Sequence, residues 1–160
     1  MSDRVTEHVT IGAPPEVVHQ VLLDLPAYPE WAPDLKSVEV LETDEQGRAL
    51  LVRFRAAGMG RSTSYTLRYD HSQPHVLAWA LTEGDITRVL DGRYVLEPAD
   101  EAGATAVTYE LEAELIVPLP GFVKRRTTTK IMHAALAGLK ATAERAAGAG
   151  AGTGPSGADA

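Results

Sequence analysis

The sequence predicts an α+β fold in which an antiparallel sheet is covered by one long C-terminal helix, and three observations carry that expectation. Val5, Val9 and Ile11 alternate with Arg4, Thr6, His8 and Thr10, the period-two signature of a strand with one wet face. Strand-like stretches separated by turn signals then fill the middle of the chain. Finally, Met132, Leu136, Leu139 and Ala143 fall at helical spacing, with Arg126, Lys130, His133, Lys140 and Glu144 opposite them.

Taken in order, Gly12 ends the first strand, and Pro14 and Pro15 suit the first turn of a helix. Val17, Val18, Val21, Leu22 and Leu25 recur on one face of that helix until Pro26 stops it. The stretch from Tyr28 to Pro33 is short and proline-rich, enough for a turn or one short helix. Strands are expected at 36–43, 48–57, 61–71, 75–83, 86–97 and 105–117. Asp44-Glu45-Gln46-Gly47, Gly58-Met59-Gly60 and Glu83-Gly84-Asp85 mark hairpin turns between them. In the last strand Val107, Tyr109, Leu111, Ala113, Leu115 and Val117 alternate with Thr108, Glu110, Glu112 and Glu114, so one face meets water and the other needs a cover. Pro118 and Pro120 break strand from helix, and the cover is the amphipathic segment from Gly121 to Arg145.

A chain of 160 residues fits one domain. The folded domain is expected over 1–145. Residues 146–160 hold nothing apolar larger than alanine and are expected to be a disordered tail. The absence of cysteine removes disulfides, thiolate zinc sites and a cysteine nucleophile. A net charge of −7 opposes binding to nucleic acid, which needs a basic footprint. Met1-Ser2-Asp3-Arg4 runs straight into the first strand without an apolar leader, and no run approaches the ~20 apolar residues of a membrane span. A cytoplasmic protein is the expectation.

Particular residues add to this order. Ile11-Gly12-Ala13-Pro14 leads into Glu16-Val17-Val18, followed by Asp24, Tyr28-Pro29-Glu30-Trp31, Pro33 and Val38-Glu39-Val40-Leu41. Downstream come Trp79 ahead of Glu83-Gly84-Asp85, Gly92 with Tyr94-Val95-Leu96, and Pro118-Leu119-Pro120-Gly121-Phe122 before Leu136, Gly138 and Leu139. Together these marks resemble the START-like or SRPBCC superfamily, which includes polyketide cyclases and dehydrases and coenzyme Q-binding proteins. The resemblance spans nearly the whole domain. It implies the helix-grip fold: a curved antiparallel sheet wrapped around the long C-terminal helix, two short helices between strands one and two, and a deep cavity for a hydrophobic ligand. It specifies a fold and not a reaction, so function must be read from the cavity.

Under that resemblance the cavity is expected to be lined by Glu7, Trp31, Tyr65, Tyr69, Trp79, Arg88, Tyr94, Tyr109, Phe122 and Met132. Polar residues that alternate onto apolar strand faces stand out, because a polar group facing a core needs a partner or a ligand. Glu7 is in register with Val5, Val9 and Ile11; Tyr65 and Tyr69 flank Leu67; Arg88 shares a face with Leu90, Tyr94 and Leu96; Tyr109 shares one with Leu111. Arg88, Tyr65 and Tyr94 are the catalytic candidates, since a cation and phenols in an apolar site can polarise a carbonyl and hold an enolate while a ring closes. The alternative is that the tyrosines fill core space and Arg88 emerges at the rim or pairs with Glu7.

The remaining signals point elsewhere. None of the five histidines sits in a motif with an acid, and none has metal-ligand spacing, so neither a metal nor a histidine base is expected. Gly58-Met59-Gly60-Arg61-Ser62 is a turn and not a nucleophile elbow, and with no phosphate-cradling loop no cofactor is indicated. Glu110, Glu112 and Glu114 follow the strand period and form a solvated face. Lys124, Arg125, Arg126 and Lys130 cluster beside Leu119 and Phe122 where basic charge opposes the helix dipole; they are either a solvated helix start or a site for an anionic head group, an acyl-carrier protein or a membrane surface. Three functions stay open: a carrier for a lipid, quinone or polyketide; a polyketide cyclase, aromatase or dehydratase; and a module docking another chain.

Overall fold

A computed structural model describes residues 3–58 and 61–152. The elements run β1 (Asp3–Ile11), α1 (Pro15–Leu23), a 3₁₀ turn (Leu25–Ala27), α2 (Tyr28–Trp31), β2 (Leu35–Thr43), β3 (Ala49–Gly58), β4 (Arg61–Asp70), β5 (Val76–Gly84), β6 (Thr87–Pro98), β7 (Thr105–Leu115) and α3 (Gly121–Gly152). No expected strand boundary is off by more than two residues. All seven strands form one antiparallel sheet in the order β1-β7-β6-β5-β4-β3-β2. Register shifts in β2, between Thr66 and Leu67, and between Thr87 and Val89 bend the sheet so that it curves around α3. The fold is the helix-grip architecture.

The sheet's two faces separate by chemistry. Val107, Tyr109, Leu111 and Ala113 of β7 point inward and are buried. Glu110, Glu112 and Glu114 point outward and meet Arg93, Arg4 and Arg88 at 2.9, 3.0 and 3.1 Å in cross-strand pairs. On α3, Met132, Leu136, Leu139 and Ala143 are buried where the helix lies over β1, α1 and α2. The closest helix approach falls at Gly138, where an added Cβ would lie 1.9 Å from the Trp31 carbonyl oxygen. Toward the helix's far end Glu144 accepts a hydrogen bond from the Gly12 amide at 2.7 Å and one from Lys140 at 2.5 Å, while Lys140 also donates to the Thr10 carbonyl at 3.2 Å. This clamp fixes α3 to the end of β1.

One sequence expectation shifts. The helix does not stop at Arg145 but runs to Gly152, with Ala147 packed against the core; the remainder of the expected tail, 153–160, lies outside the described residues. Met59 and Gly60 of the Gly58-Met59-Gly60 turn, and Met1-Ser2, also lie outside them.

Candidate functional site

Between the inner face of the sheet and α3 lies a cavity of about 200 Å³. Its inner end is an aromatic cluster contributed by four neighbouring strands: Tyr69 of β4, Trp79 of β5, Tyr94 of β6 and Tyr109 of β7. Strand register brings them together, since Tyr69 pairs with Trp79, and Tyr94 with Tyr109. Trp79 pairs with Gly92, where an added Cβ would stand 2.9 Å from the indole and 2.4 Å from the Glu110 carbonyl oxygen. Only glycine allows that approach. The ring centroids of Tyr94 and Tyr109 are 4.4 Å apart, and Trp79 sits 5.4 and 6.0 Å from them. Phe54 and Tyr65 stack at 5.3 Å along the wall, and Thr127, Thr128, Ile131 and Ala135 of α3 form the opposite side.

The polar groups of this cavity are mostly hydroxyls. All five tyrosines of the chain line it, and burial pushes each phenol above its ordinary value, Tyr109 up to about 12. At neutral pH they are therefore uncharged donors. Tyr28 donates to the Leu22 carbonyl at 2.5 Å and is committed to the helix corner. The neighbouring Tyr94 and Tyr109 hydroxyls interact, which raises Tyr94 further and partly offsets the burial of Tyr109. The Tyr65 and Tyr69 hydroxyls make no hydrogen bond among the described residues, and the Trp31 Nε1 is a buried donor without a partner. At the outer end, Asp34 is the one ionisable acid or base besides the tyrosines among the described lining residues, and its charge is felt at Tyr65.

Of the residues expected in the cavity, Trp31, Tyr65, Tyr69, Trp79, Tyr94 and Tyr109 line it, whereas Glu7, Arg88, Phe122 and Met132 do not. Arg88 is the consequential correction. A β-bulge between Thr87 and Val89 breaks the alternation, so Thr87 turns inward and is buried while Arg88 turns out to Glu114. Glu7 faces α3 and accepts from His133 at 2.8 Å. Phe122 points to solvent, and Met132 packs in the closed core on the helix face next to the cavity-lining one. Tyr28, Asp34, Phe54 and Thr87 were not among the expected residues. Phe54 and Tyr28 carried a legible apolar signal; Thr87 and Asp34 had none, because one depends on the bulge and the other on where β2 begins.

Histidines lie away from the cavity. His8 meets Thr108 on the outer face, His71 contacts the Ala49 carbonyl, and His19, lowered by burial and then by His75, sits on α1. No group of three metal-ligating side chains comes together among the described residues. None of the described helices is long and apolar enough to cross a membrane.

Comparison with known proteins places this geometry. No curated protein sequence matches the chain. Among solved structures, a START superfamily protein from Mycobacterium smegmatis superposes with a TM-score of 0.82 at 21% identity, covering 89% of this chain and 97% of that one. The Zhui aromatase/cyclase from a Streptomyces species gives 0.77 at 21% identity over 91% and 95%. A protein from Thermus thermophilus gives 0.75 at 26% over 90% and 99%. At these identities the likeness to the first two speaks for the fold alone. A family model described as polyketide cyclase / dehydrase and lipid transport matches residues 2–144, nearly all of the folded chain, and the protein belongs to that START-like family.

Proposed function

We propose that this protein binds a small, carbonyl-bearing hydrophobic molecule in the cavity between sheet and α3. The observation that carries the reading is an apolar cavity whose polar groups are mostly neutral hydroxyls able to donate, with Asp34 the one acid or base besides the tyrosines among its described lining residues. Tyr65, Tyr69 and Tyr109 have protons to offer inside an apolar wall. A buried donor left unmet costs about 1–3 kcal/mol, so a ligand carrying ketone, quinone or ester oxygens is favoured over a hydrocarbon of the same shape by tenfold or more per hydroxyl engaged. Size sets a second limit. A cavity of about 150 Å³ holds benzene; one of about 200 Å³ accommodates a ring or two, or a short acyl chain, with any remainder emerging past Asp34.

A second reading rests on a specific pair. Asp34 and Tyr65 put a carboxylate and a neutral phenol at the same end of the cavity. A carboxylate can take a proton from the carbon between two carbonyls while a phenol hydrogen-bonds the enolate oxygen. The enolate carbon then attacks a third, more distant carbonyl of the same chain, forming a C–C bond, and the proton taken by Asp34 passes to the resulting alkoxide. Loss of the new hydroxyl with an α-proton releases water, as a cyclase or dehydratase requires. Arg88, with its guanidinium on the outer face, has no part in it.

Native mass spectrometry of the purified protein, followed by organic extraction of any adduct, tests both. A bound carbonyl-bearing hydrophobe supports the carrier reading, and a chain holding a 1,3-diketone and a third, more distant carbonyl that loses one water on incubation supports the enzyme. An empty protein that also ignores added quinones and diketones contradicts both.

A further inference from the structure

We infer that the β7–α3 connection and the first turns of α3 form a docking surface for an anionic lipid bilayer. Three of the five exposed large apolar side chains among the described residues fall here: Ile116 is 52% exposed, Phe122 is 65% exposed and Leu119 is also open, while Leu41 lies on β2 and Ile131 on the cavity side of α3. Pro118 and Pro120 hold the connection out of both sheet and helix. Lys124, Arg125, Arg126 and Lys130 flank these residues, and no acidic residue occurs between Glu114 and Glu144. Arg126 lies 5.9 Å from the centroid of the Phe122 ring, so cation and apolar side chain are presented together. Phe122, Arg125, Arg126, Thr129, Lys130 and His133 line one shallow groove.

The occupant follows from charge and area. A basic stripe beside protruding aromatic and aliphatic side chains matches the headgroup and acyl layers of an anionic membrane. Three exposed apolar side chains are few against the ~800 Å² per partner that stable protein interfaces bury. The net charge of −7 does not cancel the attraction. The nearest carboxylates are engaged, Glu7 with His133 and Glu114 with Arg88. The other glutamates of the outer sheet face, Glu110 and Glu112, are paired with Arg93 and Arg4. The position is also apt: Leu115, next to Ile116 of the patch, lines the cavity's outer end. Exchange of a hydrophobic ligand with the bilayer would rest on the carrier reading above; docking itself does not.

The test is co-sedimentation of the full chain, without added ligand, with vesicles of phosphatidylcholine alone or mixed equally with phosphatidylglycerol. Partition onto the mixed vesicles is expected, weakening as salt rises. Neutralising two cations in Arg126→Gln/Lys130→Gln should lower it roughly 30-fold, and Phe122→Ala roughly tenfold. All three side chains are exposed, so circular dichroism should be unchanged. Phe122→Trp should show a blue-shifted emission on the mixed vesicles only. Absence of partition at low salt, equal partition onto phosphatidylcholine, or partition indifferent to these variants overturns the assignment, including in favour of a protein partner. Ligand binding by the cavity, measured in the same variants, is expected to be unchanged, so the two readings fail separately.

Discussion

Tyr109 concentrates the chemistry of the cavity in one hydroxyl. Burial, partly offset by the neighbouring Tyr94 hydroxyl, holds its proton to about pH 12, so it is an uncharged donor throughout the neutral range. Tyr109→Phe keeps the ring and removes only the hydroxyl. Affinity for a carbonyl-bearing ligand should fall roughly tenfold, while affinity for a hydrocarbon probe such as naphthalene stays within about twofold, as read by titration calorimetry. Arg88 gives the opposite expectation. Its side chain is 63% exposed and pairs with Glu114 across the outer face. Arg88→Ala should leave ligand binding intact and change stability by no more than about 1 kcal/mol in denaturant titration. Alternation put Arg88 on the face of Tyr94 and Leu96, and a single bulge reversed it. Period-two reasoning carries side-chain direction only as far as the ladder stays regular, and nothing in Thr87-Arg88-Val89 announces the extra residue.

Strands and helices themselves were legible because their signals are summed over many positions. Five buried residues of β7 alternate without a break, and four buried residues of α3 recur at three- and four-residue intervals. The rotation of α3 was not legible. Met132 and Ile131 are adjacent and both apolar, yet one is sealed in the core and the other faces the cavity. The choice is made by the crossing with α2 at Gly138, where backbone meets backbone. Gly138→Ala is therefore expected to destabilise by about 1–3 kcal/mol, because the clash with the Trp31 carbonyl outweighs the gain of about 1 kcal/mol in helix propensity. Chemical denaturation reads the loss, and since Trp31 lines the cavity, ligand affinity should fall with it.

The molecule as a whole is bounded by titration on both sides. All five tyrosines hold their protons more tightly folded than unfolded, where the value is near 10. That contribution to stability is full below pH ~10 and is lost as pH climbs toward the folded values. Tyrosinate absorbance should stay low until the protein unfolds and then rise in one cooperative step that coincides with loss of circular dichroism. At the acid end, hydrogen bonds from Ser72, Thr63 and Lys140 hold Asp70, Asp85 and Glu144 below their ordinary values. Their contribution is present above pH ~4 to 5 and disappears as pH falls. Glu144→Gln should flatten that limb and loosen α3 from β1, seen as faster amide exchange at Gly12.

The central claim is that a hydrophobic, carbonyl-bearing ligand sits against the aromatic cluster of four strands. Its most direct test is isotope-filtered NMR of the protein with a small naphthoquinone, recording Overhauser contacts from the ligand to aromatic side chains. Contacts to Trp79, Tyr94 and Tyr109 together, lost when Ala113→Leu fills the cavity from β7, are the expected result. Contacts confined to Phe122 and its basic neighbours, or binding indifferent to Ala113→Leu, would contradict it.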